Sequence, residues 1–93
     1  MAVSQMAKNQ VIARVISQKG SCVACHHLGQ EIILEDTTSK DMCSWAFHGI
    51  FPFYCVLKYG GSFPWEKDHN ICTIACPDPD NPVVFELRRI PLK

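Results

Sequence analysis

Six cysteines and four histidines are the residues of this chain best suited to chemistry, and their spacing points towards metal binding. Cys22 and Cys25 form a C-x-x-C pair in a glycine-flanked loop, with His26 and His27 directly after them. A soft metal ion needs thiolates converging from a backbone able to wrap it, and such a turn supplies two. A closed tetrahedral site needs two more ligands from elsewhere, and Cys43 and Cys76 are the natural candidates. Cys43 stands at the head of a long apolar run, where the free backbone N–H groups of a helix start favour a thiolate. Two assemblies satisfy the chemistry. Four thiolates from Cys22, Cys25, Cys43 and Cys76 suit an iron–sulfur cluster or zinc. Three thiolates with His26 suit zinc, or a cluster with an unusual ligand. A second C-x-x-C is absent, since Cys72 and Cys76 are four positions apart.

Other uses of these residues compete with this one. Cys43 at a helix start is also a candidate nucleophile, with Trp45, Phe63 and Trp65 lining a pocket and His26, His27 or His48 supplying the base. A thioredoxin-like role for Cys22 and Cys25 fits less well, because that motif opens a helix and the glycines here indicate a loop. Cys55 lies among Phe, Tyr and Val and is expected to fill the core, as is Cys72 in a strand. His48, on the apolar run, is expected to be hydrogen-bonded inside the core. His69 is expected to be solvated, and Glu66-Lys67-Asp68 to be an exposed charged turn.

The element that must position these groups is the stretch from Cys43 to Gly61, apolar nearly all the way round. That pattern predicts a helix buried on several sides. Ser39 or Asp41 is placed to cap it, Pro52 to kink it, and Gly60-Gly61 to end it with Lys58 in the last turn. Residues 1–9 read as a loose tail. Gln10–Ser17 and Glu31–Glu35 read as two strands pairing as a long-looped hairpin, and Ile71–Ala75 as a third strand. The run PDPDNP is a turn. Val83–Arg89 alternates, with Val83, Phe85 and Leu87 on one side, as a half-buried antiparallel strand does. Phe63-Pro64-Trp65 is expected to fold back onto the core or to meet another subunit. The order ββαββ predicts an α+β domain: a four-stranded antiparallel sheet packed on one central helix.

With 93 residues, 47% of them hydrophobic, the chain is expected to form one ordered domain. Nine basic residues balance nine acidic ones, which argues against a nucleic-acid partner and favours a homo-oligomer. The first twenty residues lack a secretory apolar region, and the run at 43–57 is too short and broken to span a bilayer. No membrane partner is expected, and the location is read as cytoplasmic. There, six cysteines serve as thiols or metal ligands rather than disulfides.

Three segments, CSWAFHGIFPF, YGGSFPWEKD and ACPDPDNPVVFELRRI, resemble an uncharacterised family of small prokaryotic proteins of about a hundred residues. That family carries C-P-W-A-F, G-G-x-F-P-W-E-K-D and A-C-P-D-P-x-N-P-V-V-F-E-L-R-R motifs. The resemblance spans about residues 11–90. It implies that Cys22, His26 or His27, Cys43 and Cys76 matter, and leaves out Cys55 and Cys72. Ser44 stands where the family often has proline, and Cys25 where a small residue is usual. The ligand set shared with the family is then three cysteines, with or without one histidine. No activity comes with the resemblance. The expected role is a metal- or cluster-binding accessory or electron-transfer component, with a larger redox enzyme as a partner. A thiol enzyme built on Cys43 and an oligomeric interaction module with no metal are the alternatives.

Overall fold

Alternation and apolar spacing resolve into the predicted two layers in the computed structural model, which describes residues 9–19, 26–37 and 40–91. The elements are β1 (Asn9–Gln18), β2 (Glu31–Leu34), α1 (Ser44–Lys58), β3 (Ile71–Ala75) and β4 (Val83–Pro91). They form an α+β fold with an antiparallel sheet ordered β2-β1-β4-β3 and the helix packed against it. Asn9 belongs to β1 rather than to a tail, and its side-chain amide donates to the Leu57 and Lys58 carbonyls at the end of α1. Residues 1–8 lie outside the described residues.

The alternation of β4 places Val83, Phe85 and Leu87 wholly out of solvent. Val11, Ala13 and Val15 of β1, Ile32 and Leu34 of β2, and Cys72 of β3 are buried with them. β1 meets β4 along nearly its whole length, from Asn9↔Pro91 to Gln18↔Val83. One irregularity interrupts that ladder, a bulge at Ile16 between Val15 and Ser17.

The helix departs from expectation in how it is buried. Ala46, Phe47, Ile50, Tyr54 and Leu57 recur at intervals of one to four residues and form one stripe on the sheet. The opposite side stays open: Trp45 is 62% exposed, and Pro52 and Val56 are exposed with it. An apolar composition therefore does not mean burial all round when a single sheet covers a single stripe. α1 runs unbroken through Pro52, whose missing N–H falls on the solvent side, where the loss costs least.

The predicted cap at Asp41 is also displaced. Cys43 occupies the N-cap with no side-chain cap bond, and its carbonyl accepts the first helical bond from Phe47 N–H at 2.9 Å. Ser39 lies outside the described residues. At the other end Gly60 adopts φ +91°, and Gly61 N–H reaches back to the Val56 carbonyl at 2.7 Å. A Cβ on Gly61 would stand 2.7 Å from Val56 Cγ1, so the glycine pair is required there.

The following loop folds Phe63 inward against Phe53, ring centroids 5.5 Å apart, while Trp65 stacks on Phe63 at 5.0 Å and remains 64% exposed. Glu66-Lys67-Asp68 is more than a charged turn. Glu66 accepts the Thr73 N–H of the edge strand β3 at 2.9 Å, and Asp68 accepts the Asn70 N–H at 2.8 Å. Among the described residues no helix is long and apolar enough to cross a membrane.

Candidate metal centre

At one end of the sheet, β1 and β3 finish while β2 and β4 begin, and the start of α1 lies over the same end. Each candidate ligand belongs to a segment that enters or leaves this end. Lys19 N–H donates to the Pro82 carbonyl at 3.1 Å, fixing the chain just before the cysteine loop. Cys22 and Cys25 themselves lie outside the described residues.

His26, the residue after Cys25, is 4% exposed and sets its ring edge-on to Phe85, centroids 5.5 Å apart. The Cys43 N–H donates to Nε2 at 3.1 Å, so Nε2 must be unprotonated. The proton then sits on Nδ1, which donates to Gln30 Oε1 at 3.0 Å. Both ring nitrogens are engaged, and no lone pair is left for a metal in this arrangement. His26 acts here as a neutral post between the end of the cysteine loop and the cap of α1. Gln30 secures the post. Its Oε1 also accepts the His27 N–H at 3.3 Å, and its Nε2 donates to the Asp41 carbonyl at 3.5 Å. Sequence reasoning passed over Gln30 because a lone polar residue at a strand entry carries no local signature.

His26→Ala is expected to lower stability by about 2–3 kcal/mol, a fall of roughly 10–15 °C in thermal midpoint. The change strands the Cys43 N–H and leaves a void against Phe85. Thermal unfolding by circular dichroism measures it, and an unchanged midpoint would rule out the post.

Cys43 and Cys76 are both half-buried against the core. Cys76 has a feature suited to a ligand: the Val83 N–H points at its sulfur at 3.2 Å, while Cys76 N–H donates to the Val83 carbonyl at 2.8 Å. Backbone donors aimed at a ligating sulfur tune clusters bound to it. The turn that presents this donor is held by Asp78, whose Oδ1 accepts the Asp80 and Asn81 N–H groups at 3.0 and 3.2 Å.

The other cysteines stand apart. Cys72 is wholly buried, and burial, with a smaller contribution from Glu66, pushes its thiol up to about 11. It remains a core thiol at neutral pH. Burial also raises Cys55, which is half-buried on α1 rather than enclosed. His48 is exposed, contrary to its predicted place inside the core, because it falls on the uncovered side of α1. It borders a shallow cleft of about 470 Å³ with Phe47, Phe51 and Pro52. His27 and His69 are exposed. Among the described residues no group of three or more His, Cys, Asp or Glu side chains stands close enough to hold a metal.

The nucleophile reading gains no base from this geometry. His26 offers its free lone pair to the Cys43 backbone, not to the thiol. Trp45 and Trp65 are turned largely to solvent.

A second polar cluster was invisible in the sequence, since its members are far apart in the chain. Asp36 Oδ1 accepts from Lys58 Nζ at 2.7 Å and from Tyr54 OH at 3.0 Å. Those two bonds hold the Asp36 carboxyl below its usual range, and the Asp36 partner raises Lys58. Burial pushes the Tyr54 phenol up to about 12. All three groups therefore keep their neutral-pH forms and satisfy one another. They fasten the chain after β2 to the last turns of α1 and hold no group poised to react.

Comparison with protein-family models, curated proteins and solved structures returns no match.

Proposed function

We propose that this protein binds one metal ion or an iron–sulfur cluster through Cys22, Cys25, Cys43 and Cys76, and serves as an accessory or electron-transfer component. The observation that supports this reading is the 3.1 Å bond from Cys43 N–H to His26 Nε2. It ties the residue following Cys25 directly to Cys43, at the end of the sheet where Cys76 receives a backbone donor on its sulfur. With His26 engaged at both nitrogens, four thiolates are favoured over three thiolates and a histidine. Such a set suits an iron–sulfur cluster or zinc. The protein is read as cytoplasmic, where thiols stay reduced, as a homo-oligomer, and as able to serve a larger redox enzyme.

Anaerobic purification followed by metal analysis and a visible spectrum tests the reading. A brown protein containing iron and sulfide is the expected result for a cluster, and stoichiometric zinc without colour for a zinc site. A colourless, metal-free protein that takes up neither zinc nor iron under reducing conditions would refute it.

A further inference from the structure

Among the described residues one helix covers one face of the sheet and nothing covers the other. An antiparallel sheet with a solvated face ordinarily alternates apolar-in with polar-out. This one does not. Its outer face carries Ile12, Ile33, Ile71, Val84 and Ile90, with Ile33 53% and Ile90 40% exposed. Charges occupy the middle of that face in a fixed order. The register aligns Glu31, Arg14 and Glu86 across β2, β1 and β4, with Arg88 one row further along β4. Between them runs a groove of about 300 Å³. Glu86 pairs with Arg88 at 3.3 Å. Arg14, although flanked on both sides by glutamates, makes no ion pair among the described residues.

We infer that this face is the surface on which a second copy of the chain docks, sheet against sheet, with Arg14 of each protomer meeting the glutamates of the other. Two features favour a second copy over another partner. The patch is self-complementary, with two acidic and two basic side chains within an aliphatic surround, so two copies bring no net charge together. Its size also fits. Four strands about 4.8 Å apart and from four to ten residues long present at most roughly 20 by 30 Å, a planar area of about 600 Å² that approaches the roughly 800 Å² per partner of a standard interface. Sheets stacked at about 10 Å allow isoleucines from the two faces to interdigitate around the charged row. Buried charges are costly unless paired, and the docked arrangement supplies Arg14 with partners.

The inference rests on the homo-oligomer reading, and one set of measurements separates the two. Sedimentation equilibrium of the full chain is expected to give a dimer. Arg14→Glu turns the central row into three like charges and is expected to weaken dimerisation about 100-fold, with an unchanged circular dichroism spectrum. Glu86→Arg makes the face net positive and weakens self-association likewise. Mixing the two variants is expected to restore a heterodimer. A monomeric wild type at high micromolar concentration sinks both the oligomer reading and this assignment. A wild-type dimer that survives Arg14→Glu but falls apart with Trp45→Glu on the open helix face overturns the assignment alone. Failure of the two variants to rescue each other overturns it as well.

Discussion

Replacing Arg89 with alanine is expected to lower the unfolding free energy by about 3 kcal/mol and the thermal midpoint by roughly 15 °C. This guanidinium closes the end of the molecule opposite Cys43 and Cys76. One Nη1 donates to the Leu57 carbonyl at 3.2 Å and to the Gly61 carbonyl at 2.6 Å. Nη2 donates to the His69 carbonyl, and Nε to Asn70 Oδ1 at 3.2 Å. The end of a helix leaves carbonyls without partners, and here one cation serves the end of α1, the glycine pair and the loop into β3 together. Bonds from a charged donor contribute about 1.5–3 kcal/mol each when counted singly. They share one side chain and are not additive, so the total stays near the upper single-bond value. Arg89→Lys should recover only a minor part, since a compact ammonium cannot span four acceptors. Denaturant and thermal unfolding of both variants measure the effect. A loss below about 1 kcal/mol for the alanine variant would show that the carbonyls find other partners.

The second large effect concerns metal content. If the protein binds a metal or cluster as proposed, Cys43→Ser and Cys76→Ser are each expected to reduce affinity for it by at least about a hundredfold, leaving the purified protein nearly empty. A serine hydroxyl does not ionise at neutral pH and is a poor donor to a soft metal. Cys55→Ser is expected to keep the metal and lose stability instead. Its sulfur packs half-buried beside the core, and a hydroxyl there costs about 1–2 kcal/mol. Metal content and thermal midpoint, read on the three variants side by side, carry the contrast. Loss of metal from Cys55→Ser with retention in Cys43→Ser would reverse the assignment of roles.

Local pattern made much of this fold legible. The alternation of Val83, Phe85 and Leu87 reports a strand with one buried face, and those three residues are wholly buried. The double glycine after Lys58 reports a helix end, because only glycine accepts the conformation at Gly60 and the close approach at Gly61. What stayed hidden depends on which segments meet across the chain. Nothing near His26 says that its acceptor nitrogen will face an N–H seventeen residues away. Nothing near Arg89 says that four oxygens will converge on it. The apolar neighbours of His48 suggest burial, whereas its angular position on α1 sets its exposure. The candidate site was therefore readable as a set of residue types, and its supporting bonds were not.

The order β2-β1-β4-β3 bears on how the chain is made as well as on how it stands. β4 is made after the other three strands of this sheet, yet it lies between β1 and β3, which have no ladder with one another. Until residues 83–91 emerge, β1 and β2 can only form a hairpin, and β3 has no strand beside it. Pairing of β1 with β4 closes a loop across most of the chain, a step that topology makes slow. During that interval the inner residues of β1, Val11, Ala13 and Val15, have at most β2 beside them and no completed core. The nascent protein is thus most exposed to aggregation until β4 is available, and a chain cut short ahead of Val83 lacks the strand that joins β1 to β3.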